Sequence, residues 1–515
     1  MSMSTFPVYD LIAQRATMAP DAIALEDFSS NKQISYRQLN ENACQAAHVL
    51  QKLDITGGKP VSILSLNCIE FFELMFACAK NGSIFIPLNW RQTATETQPV
   101  IEDSGLDTIF YDAANQTLAQ EIKSLCPHIS IIPLADGIDA SSDSYQKRRN
   151  ASPTSFDALT RELEDIWYLL YTSGTTGKPK AVIQNFAMTM ANYINTQVAI
   201  DLASSDTTIN FLPLFHTGGI NLYTLPTLLA GGKVIVLPKF EPDAVVDLID
   251  QGKVSIFFGV PAIYRAIHEH PKFSTMNFSS VRSLGCGGAP IQEYVLHDFA
   301  ERGVIICNGF GMTETGPMVC LMDEDSASKK IGSIGRPKLL LKVRIVDEQG
   351  NDQPAGSAGE LLLAGANITP GYWRNKEATD KAFENGWLRT GDVAKMDEDG
   401  YLYIVDRIKD MYISGGENVY PAEVEAAIDE HEQILESVVV GLPDPKWGEI
   451  GCAFIRATEG FKLDQDEMKA FARARLAGYK TPQHFALVED YPRTAAGKVK
   501  KHELRKYAAE TLTSK

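Results

Sequence analysis

The ten residues Tyr-Thr-Ser-Gly-Thr-Thr-Gly-Lys-Pro-Lys at 171–180 carry two glycines, four hydroxyl side chains besides the tyrosine, two lysines and no acid. Gly174 and Gly177 have no Cβ, so the backbone there can turn tightly and bring its N–H groups against a ligand. Thr172, Ser173, Thr175 and Thr176 add hydroxyl donors, and Lys178 and Lys180 add positive charge. Charge-assisted hydrogen bonds to phosphate oxygens are the strong kind. Phosphate binding is therefore the chemistry such a segment could serve. It is not a Walker A loop, which needs four residues between its glycines and a Ser or Thr after the lysine; here two residues intervene and a proline follows. A flexible Gly/Ser/Thr connector is the other reading that composition leaves open.

A ligand loop needs a rigid base, and the run Ile166-Trp-Tyr-Leu-Leu-Tyr171 directly before it predicts a strand. Further on, short apolar runs alternate with amphipathic stretches. Val234-Ile-Val-Leu237 precedes PDAVVDLIDQ, Ser255-Ile-Phe-Phe258 precedes PAIYRAIHEH, and Val304-Ile-Ile306 follows IQEYVLHDFAERG. Strands alternating with helices of this length predict βαβ units and largely parallel sheets. After about residue 335 the texture changes to shorter strands joined by Gly and Asp/Asn turns, which predicts an antiparallel module. Residues 138–160 are polar and lack apolar periodicity, so they read as a surface connection. Past Val405-Asp-Arg-Ile-Lys-Asp410, PAEVEAAIDE and QDEMKAFARARL read as helices and SVVVGLPD as a strand with its turn, a compact α+β unit. The fold class expected is α/β: a large N-terminal domain over 1–406, made of βαβ-built sheets plus a small antiparallel module, and a small α+β C-terminal domain over 407–515.

The 515-residue length exceeds one ordinary hydrophobic core, in line with more than one domain. Hydrophobic residues at 44% and charged residues at 22% are ordinary for a globular chain. The formal net charge of −17 argues against nucleic-acid binding and against attraction to anionic lipid. A local pocket of amides and lysines can still oppose that global sign. The start, MSMSTFPVYD, has no basic flank followed by an apolar run, so no secretory signal is expected. No apolar run is long enough for a transmembrane segment. Eight scattered cysteines without a C-x-x-C pair point to neither disulfides nor zinc and favour a reducing, cytoplasmic location.

The segment YTSGTTGKPK resembles the phosphate-binding loop of the AMP-forming adenylating enzymes, the superfamily of acyl-CoA synthetases, luciferases and peptide-synthetase adenylation domains. Further motifs match in order: GGAP at 287–290, GFGMTE at 309–314, TGD at 390–392, DRIKD at 406–410, GGENVYPAEVE at 415–425 and PRTAAGKVKK at 492–501. Two positions depart from the family's usual pattern. Ala181 stands where a glycine is usual, past the phosphate-contacting part, and Phe310 stands where tyrosine is commoner, keeping the stacking surface and losing a hydroxyl.

The resemblance implies attack of a carboxylate on the α-phosphorus of ATP with loss of pyrophosphate, a meeting of two anions that depends on positioning and on cations. It implies that 172–180, including Lys180, hold the β- and γ-phosphates, that Thr313 binds the α-phosphate and that Glu314 ligates Mg²⁺. Gly288, Ala289 and Pro290 would form the backbone wall of the adenine pocket, with Phe310 on the opposite face and Asn308 nearby. Gly309, Gly311 and Met312 complete that stretch. Asp392 and Arg407 match the positions that hydrogen-bond the ribose. Lys498 resembles the lysine that bridges carboxylate and α-phosphate, carried on a mobile C-terminal domain. Lys409 matches the hinge position. Gly415, Gly416 and Asn418 would face the active site beside a pantetheine channel when that domain turns.

His216 in PLFHTGG resembles the acyl-CoA ligase pattern, with its ring beside the substrate carboxyl; amino-acid-activating domains carry an aspartate there. No acid lies between Asp206 and Glu241, which disfavours an amino-acid substrate. The resemblance places His216 to Asn221, Phe258 to Pro261, Gly285 to Gly287, and Gly311 with Met312 along the acyl pocket. No obvious arginine stands among them, so an aliphatic or aryl monocarboxylate is expected over a dicarboxylate. The activity implied is that of an acid–CoA ligase (AMP-forming), using ATP, Mg²⁺ and CoA. A stand-alone adenylating enzyme that loads a carrier-protein phosphopantetheine is the alternative. The expected partners are small molecules, with a homodimer possible.

Overall fold

The computed structural model describes residues 7–139, 143–172, 179–289, 291–493 and 499–511. The segment 173–178, Pro290 and 494–498 lie outside them, and with them the calls on Ser173, Gly174, Thr175, Thr176, Gly177, Pro290 and Lys498. The chain folds as two compact units, one from residues 1–342 and 364–386 and the other from 343–363 and 387–515.

In the larger unit, Pro60–Leu64, Ile84–Pro87 and Thr108–Tyr111 are nearly continuous apolar runs, buried on both faces. Such strands belong in a parallel sheet covered by helices on either side. They form the middle of a six-stranded sheet whose order is Lys180–Asn185, Ile166–Thr172, Ile84–Pro87, Pro60–Leu64, Thr108–Tyr111, Ser130–Pro133. All its pairings are parallel except the antiparallel pair at one edge, Ile166–Thr172 with Lys180–Asn185. The crossover helices Ile69–Asn81 and Ala94–Ser104 have well-marked ends. The first stops at Gly82, whose φ of 78° suits a residue without Cβ. The second starts with a reciprocal Thr93–Glu96 capping box. Trp167 anchors the core beneath the edge pair: it is fully buried, stacks on Phe186 at 5.0 Å and donates its indole N–H to the Met75 carbonyl at 2.8 Å.

A two-stranded pair, Pro7–Val8 with Arg161–Glu162, and two further large sheets accompany the six-stranded one among the described residues. One runs in the order Thr207–Asn210, Lys233–Val236, Ile23–Asp27, Lys32–Ser35, and the other in the order Ile256–Gly259, Ser283–Cys286, Ile306–Gly311, Met318–Leu321, Arg336–Pro337. In the latter the first two pairings are parallel and the last two antiparallel. The expected alternation holds, with helices Pro242–Asp250, Pro261–His268 and Glu293–Glu301 between strands. Most boundaries shift by one or two residues, and the one near 304 moves furthest: the strand begins at Ile306 and takes in the glycines to Gly311.

The stretch 138–160 departs from its reading as a surface connection. Ser144 caps a short helix, Tyr145–Asn150, that turns Tyr145 and Arg149 inward, at 0% and 7% exposure. Arg149 meets both carboxylate oxygens of Glu73 at 2.7 Å, the Tyr145 hydroxyl donates to Glu73 at 2.8 Å, and Asn42 donates at 2.7 Å. A buried acid needs this much compensation. Six residues are too few for periodicity to reveal the turn inward.

The antiparallel module, Leu341–Val346, Gly359–Gly365, Trp387–Met396 and Leu402–Arg407, forms as expected but not within the large domain: most of it belongs to the smaller unit, which opens with it. That unit continues as an α+β fold. Strands Ile434–Asp444 and Gly448–Ala457 form its long hairpin, with Tyr412–Ser414, Glu417–Val419 and His484–Leu487 alongside. Alternate residues of the hairpin serve opposite faces, as strand geometry requires. Val439, Ala453 and Ile455 pack with Val424, Ile428 and Met468, whereas Val438, Val440 and Phe454 pack with Leu504 and Ala508. The helix Gln465–Arg473 ends three residues before the expected Leu476.

Candidate active site

The base of the 171–180 segment is held as expected. Thr172 and Lys180 are cross-strand partners, and the Thr172 hydroxyl donates to the Lys180 carbonyl at 3.3 Å. Strand Lys180–Asn185 is also stitched to two distant pieces of chain. Gln184 donates its side-chain amide to the Thr313 carbonyl at 2.9 Å. On the other side Val182 bridges Tyr372, the Trp373 amide donates to the Ala181 carbonyl at 2.9 Å, and the Thr369 hydroxyl donates to the Ile183 carbonyl at 2.7 Å. The Thr369 amide donates to the Glu314 carbonyl at 2.8 Å, closing the ring of contacts. Lys180, Thr313 and Glu314 are thereby brought together.

Glu314 is 8% exposed, in the short turn Thr313–Thr315. Its Oε1 accepts a hydrogen bond from the Tyr372 hydroxyl at 2.9 Å. Among the described residues no Lys or Arg pairs with it, and its second carboxylate oxygen accepts no hydrogen bond. Buried carboxylates are normally paired or coordinate a metal. A hard oxygen donor left in this state is what Mg²⁺ takes. Lys180 lies over the ring face of the same tyrosine, Nζ 5.3 Å from its centroid. Burial, and then the Glu314 charge, raise the Tyr372 phenol well above its ordinary range, so it remains a donor.

Strand Ile306–Gly311 carries the next set. Gly309 and Gly311 lie against the neighbouring strand so closely that a Cβ on Gly311 would stand 2.0 Å from the Pro317 carbonyl oxygen. Asn308 donates to the Ser333 carbonyl at 3.4 Å, and its Oδ1 is buried without a donor among the described residues. Phe310 is half-buried and Met312 accepts no more than its turn demands, its amide donating to the Thr315 hydroxyl at 3.0 Å. Gly288, at φ +89°, and Ala289 are exposed at the end of strand Ser283–Cys286. The Phe258 ring reaches over Gly285 and Gly287, and a Cβ on Gly285 would meet the Tyr223 hydroxyl at 2.6 Å. Tyr223 stands outside the stretches expected to line this wall.

His216 precedes the short helix Thr217–Asn221, its ring tilted on Phe215 at 4.6 Å and its Nε2 buried without a partner among the described residues. Burial, and then the positive charge of Arg91, lower its pKa to about 4. Arg91 lies over the Trp90 ring at 4.8 Å, and Trp90 meets Phe215 edge-on at 6.1 Å. The sequence reading found no arginine near this histidine. Arg91 supplies one from a segment more than a hundred residues away, and the ground for disfavouring a dicarboxylate goes with it.

The remaining expected residues belong to the smaller unit. Asp392 and Arg407 face each other in an antiparallel pair, Nε to Oδ1 at 3.4 Å. Lys409 is exposed in the turn that follows. Asp406, buried, accepts from the Ala422 amide at 2.8 Å and so pins the start of helix Pro421–Asp429. Gly415, Gly416 and Asn418 form the exposed hairpin between Tyr412–Ser414 and Glu417–Val419. Trp447, 43% exposed, packs under Gly415 and was not anticipated.

Comparison with known proteins identifies the family. The model of the AMP-binding enzyme family matches residues 12–373, and that of the AMP-binding enzyme C-terminal domain matches 423–498. The chain is 36% identical to a feruloyl-CoA synthase of Amycolatopsis sp, over 96% of this chain and 97% of that one. It is 33% identical to the long-chain-fatty-acid–CoA ligase FadD13 of Mycobacterium tuberculosis, over 98% of both. Among solved structures, ATP-bound MatB from Rhodopseudomonas palustris superimposes with a TM-score of 0.89 at 28% identity, covering 97% of this chain and 98% of that one.

Proposed function

The chain belongs to the AMP-binding enzyme family, and from that premise we propose how it works as an acid–CoA ligase (AMP-forming). A carboxylate oxygen attacks the α-phosphorus of ATP, the bond from that phosphorus to the bridging oxygen breaks, and pyrophosphate leaves. The CoA thiol, losing its proton, then attacks the acyl carbonyl carbon, and AMP departs with the former carboxylate oxygen.

The observation that carries the site assignment is Glu314, a buried carboxylate without a cationic partner among the described residues, joined through Tyr372 to Lys180 at the base of the 172–180 segment. In this reading Thr172 to Lys180 hold the β- and γ-phosphates, Thr313 the α-phosphate, and Glu314 the Mg²⁺, which when bound screens phosphate charge. The buried Oδ1 of Asn308 is an acceptor suited to an adenine amino group, between Gly288-Ala289-Pro290 and Phe310. His216, neutral because of its low pKa, can hydrogen-bond the acid's carboxyl without forming an ion pair that would blunt the nucleophile. Asp392 and Arg407 take the ribose, Lys498 bridges carboxylate and α-phosphate, Lys409 is the hinge between domains 1–406 and 407–515, and Gly415, Gly416 and Asn418 line the pantetheine channel. We place the reaction in the cytoplasm, in keeping with eight cysteines that are all free.

The test is a panel of short, medium, long, aryl and dicarboxylic acids with purified protein, ATP, Mg²⁺ and CoA, following pyrophosphate and acyl-CoA together. Lys498→Ala is expected to abolish adenylate formation while leaving thioester formation from supplied acyl-AMP largely intact. Equal loss of both half-reactions would remove Lys498 from its assigned role.

A further inference from the structure

Tyr372 serves none of the roles assigned above, yet it touches two of the groups that fill them. Its hydroxyl donates to Glu314 Oε1 at 2.9 Å, and its ring face lies under Lys180 Nζ at 5.3 Å. The backbone around it is fixed on both sides. Tyr372 bridges Val182, the Gly371 carbonyl accepts from the Ile183 amide at 3.2 Å, and the Tyr372 amide donates to the Thr379 hydroxyl at 3.0 Å. We propose that Tyr372 is a positioning residue for adenylation, which holds the Glu314 carboxylate so that its other oxygen faces the metal, and holds Lys180 towards the phosphates. The inference rests on the ligase reading and deepens it.

The geometry gives each half of the side chain its own task. A carboxylate with two free oxygens can swing about its terminal torsion, which is broad and roughly two-fold. One short bond from a neutral donor fixes that torsion without supplying a charge that would compete with the metal. A lysine or arginine in the same place would neutralise Glu314 and weaken its hold on a cation. The ring has a different partner: an ammonium over an aromatic face is held electrostatically, and the effect strengthens where water is excluded. One residue thus connects the cation at the base of the phosphate segment with the acid that holds the metal.

The two tasks separate by substitution in the full-length protein. The readout is ATP binding by calorimetry across a Mg²⁺ series, with the melting midpoint recorded for each variant and pyrophosphate–ATP exchange used to split KM from kcat. Tyr372→Phe keeps the ring and loses the hydroxyl. It is expected to raise the Mg²⁺ needed for half-maximal ATP binding by roughly tenfold, the size of one lost hydrogen bond to a charged group. ATP affinity at saturating Mg²⁺ and the melting midpoint should stay near the parent's. Tyr372→Leu should show the same Mg²⁺ shift and, in addition, a several-fold weaker ATP affinity at saturating Mg²⁺ as Lys180 loses its ring. The proposal is overturned by a Tyr372→Phe protein whose Mg²⁺ dependence superimposes on the parent's. It is equally overturned by one that weakens ATP binding alike with and without Mg²⁺, or that fails to fold. Glu314→Gln separates the two layers of inference: if it leaves the Mg²⁺ dependence of ATP binding intact, the assignment of Glu314 fails, whatever Tyr372 does.

Discussion

Glu73 and Glu314 are both buried acids of the larger unit, at 0% and 8% exposure, and each accepts a hydrogen bond from a tyrosine hydroxyl. Around Glu73 the chain supplies everything else as well: a guanidinium on both oxygens and an amide from Asn42. Around Glu314 the described residues supply the tyrosine and nothing more. Two acids in similar burial thus differ in what is left for something outside the chain to provide. A closed network suits a structural acid; in the proposed assignment the open one is completed by a cation that arrives with the substrate. Buried charge is costly in either case, so the open site is maintained at some expense of stability, as functional sites commonly are.

The largest expected effect follows from opening the closed site. Arg149→Ala strands Glu73 without a counter-charge, and loss of about 3–5 kcal/mol of unfolding free energy is expected. Denaturant titration of the larger unit's transition measures it. Acid–CoA ligase activity per folded molecule should change little, because nothing in that network touches the residues around Glu314. A variant with unchanged stability would break the distinction between the two acids.

The converse substitution comes next in size. Glu314→Gln removes charge from the open site while keeping its shape. Adenylation is expected to fall by ~100- to 1000-fold, the cost of losing one preorganised electrostatic group. Stability should hold or rise, since an unpaired buried carboxylate is replaced by a neutral amide. Pyrophosphate release and the denaturation midpoint, measured on one preparation, decide it; a drop in both would make Glu314 as structural as Glu73.

The tyrosines sharpen the contrast further. Tyr145→Phe should lose about 1–2 kcal/mol, because the hydroxyl it gives to Glu73 lies in a fully buried network. Tyr372→Phe, its counterpart, should leave the denaturation midpoint within error and show itself only in ligand binding. Equal stability losses in the two would mean that both hydroxyls merely satisfy burial.

These paired sites also explain what sequence could and could not disclose. The phosphate-binding reading of 171–180 was open to sequence because its chemistry is local, a few consecutive residues carrying the glycines, hydroxyls and charges together, whereas Thr313, Glu314 and Asp392 were singled out only through the family resemblance. The sheets were legible because buried parallel strands are apolar throughout and their helices are long enough to show a period. Tyr372 was not, because it reaches Glu314 across 58 positions through an isolated bridge to Val182 that no periodic pattern announces. Arg91 acts on His216 over a gap more than twice as long. Arg149 was hidden differently, since a lysine- and arginine-rich stretch of six helical residues reads as solvated surface until its partner Glu73 is known. The strand Ile306–Gly311 runs on past the apolar run Val304-Ile-Ile306 through glycines at which the neighbouring backbone lies where a Cβ would stand.

The smallest effect expected concerns His216, where the described residues again leave a buried polar atom without a partner. Burial and the Arg91 charge bring its pKa down to about 4, below the ordinary histidine value, so the folded protein favours the neutral ring. Protonation then favours unfolding: the contribution is nil above pH 6.5 and becomes destabilising as pH falls from there towards 4. Between pH 6 and 8 the ring should stay neutral, and the pH profile of kcat/KM should show no step from this residue. Imidazole resonances assigned through His216→Gln would report the titration directly. Arg91→Met should raise the midpoint, though not fully to the ordinary value, because burial is the larger cause and remains. A His216 midpoint at 6.5 or above in the parent protein would show that water and protons reach the ring freely. The likeness between Nε2 and the open oxygen of Glu314, each awaiting a partner from the substrate complex, would then be lost.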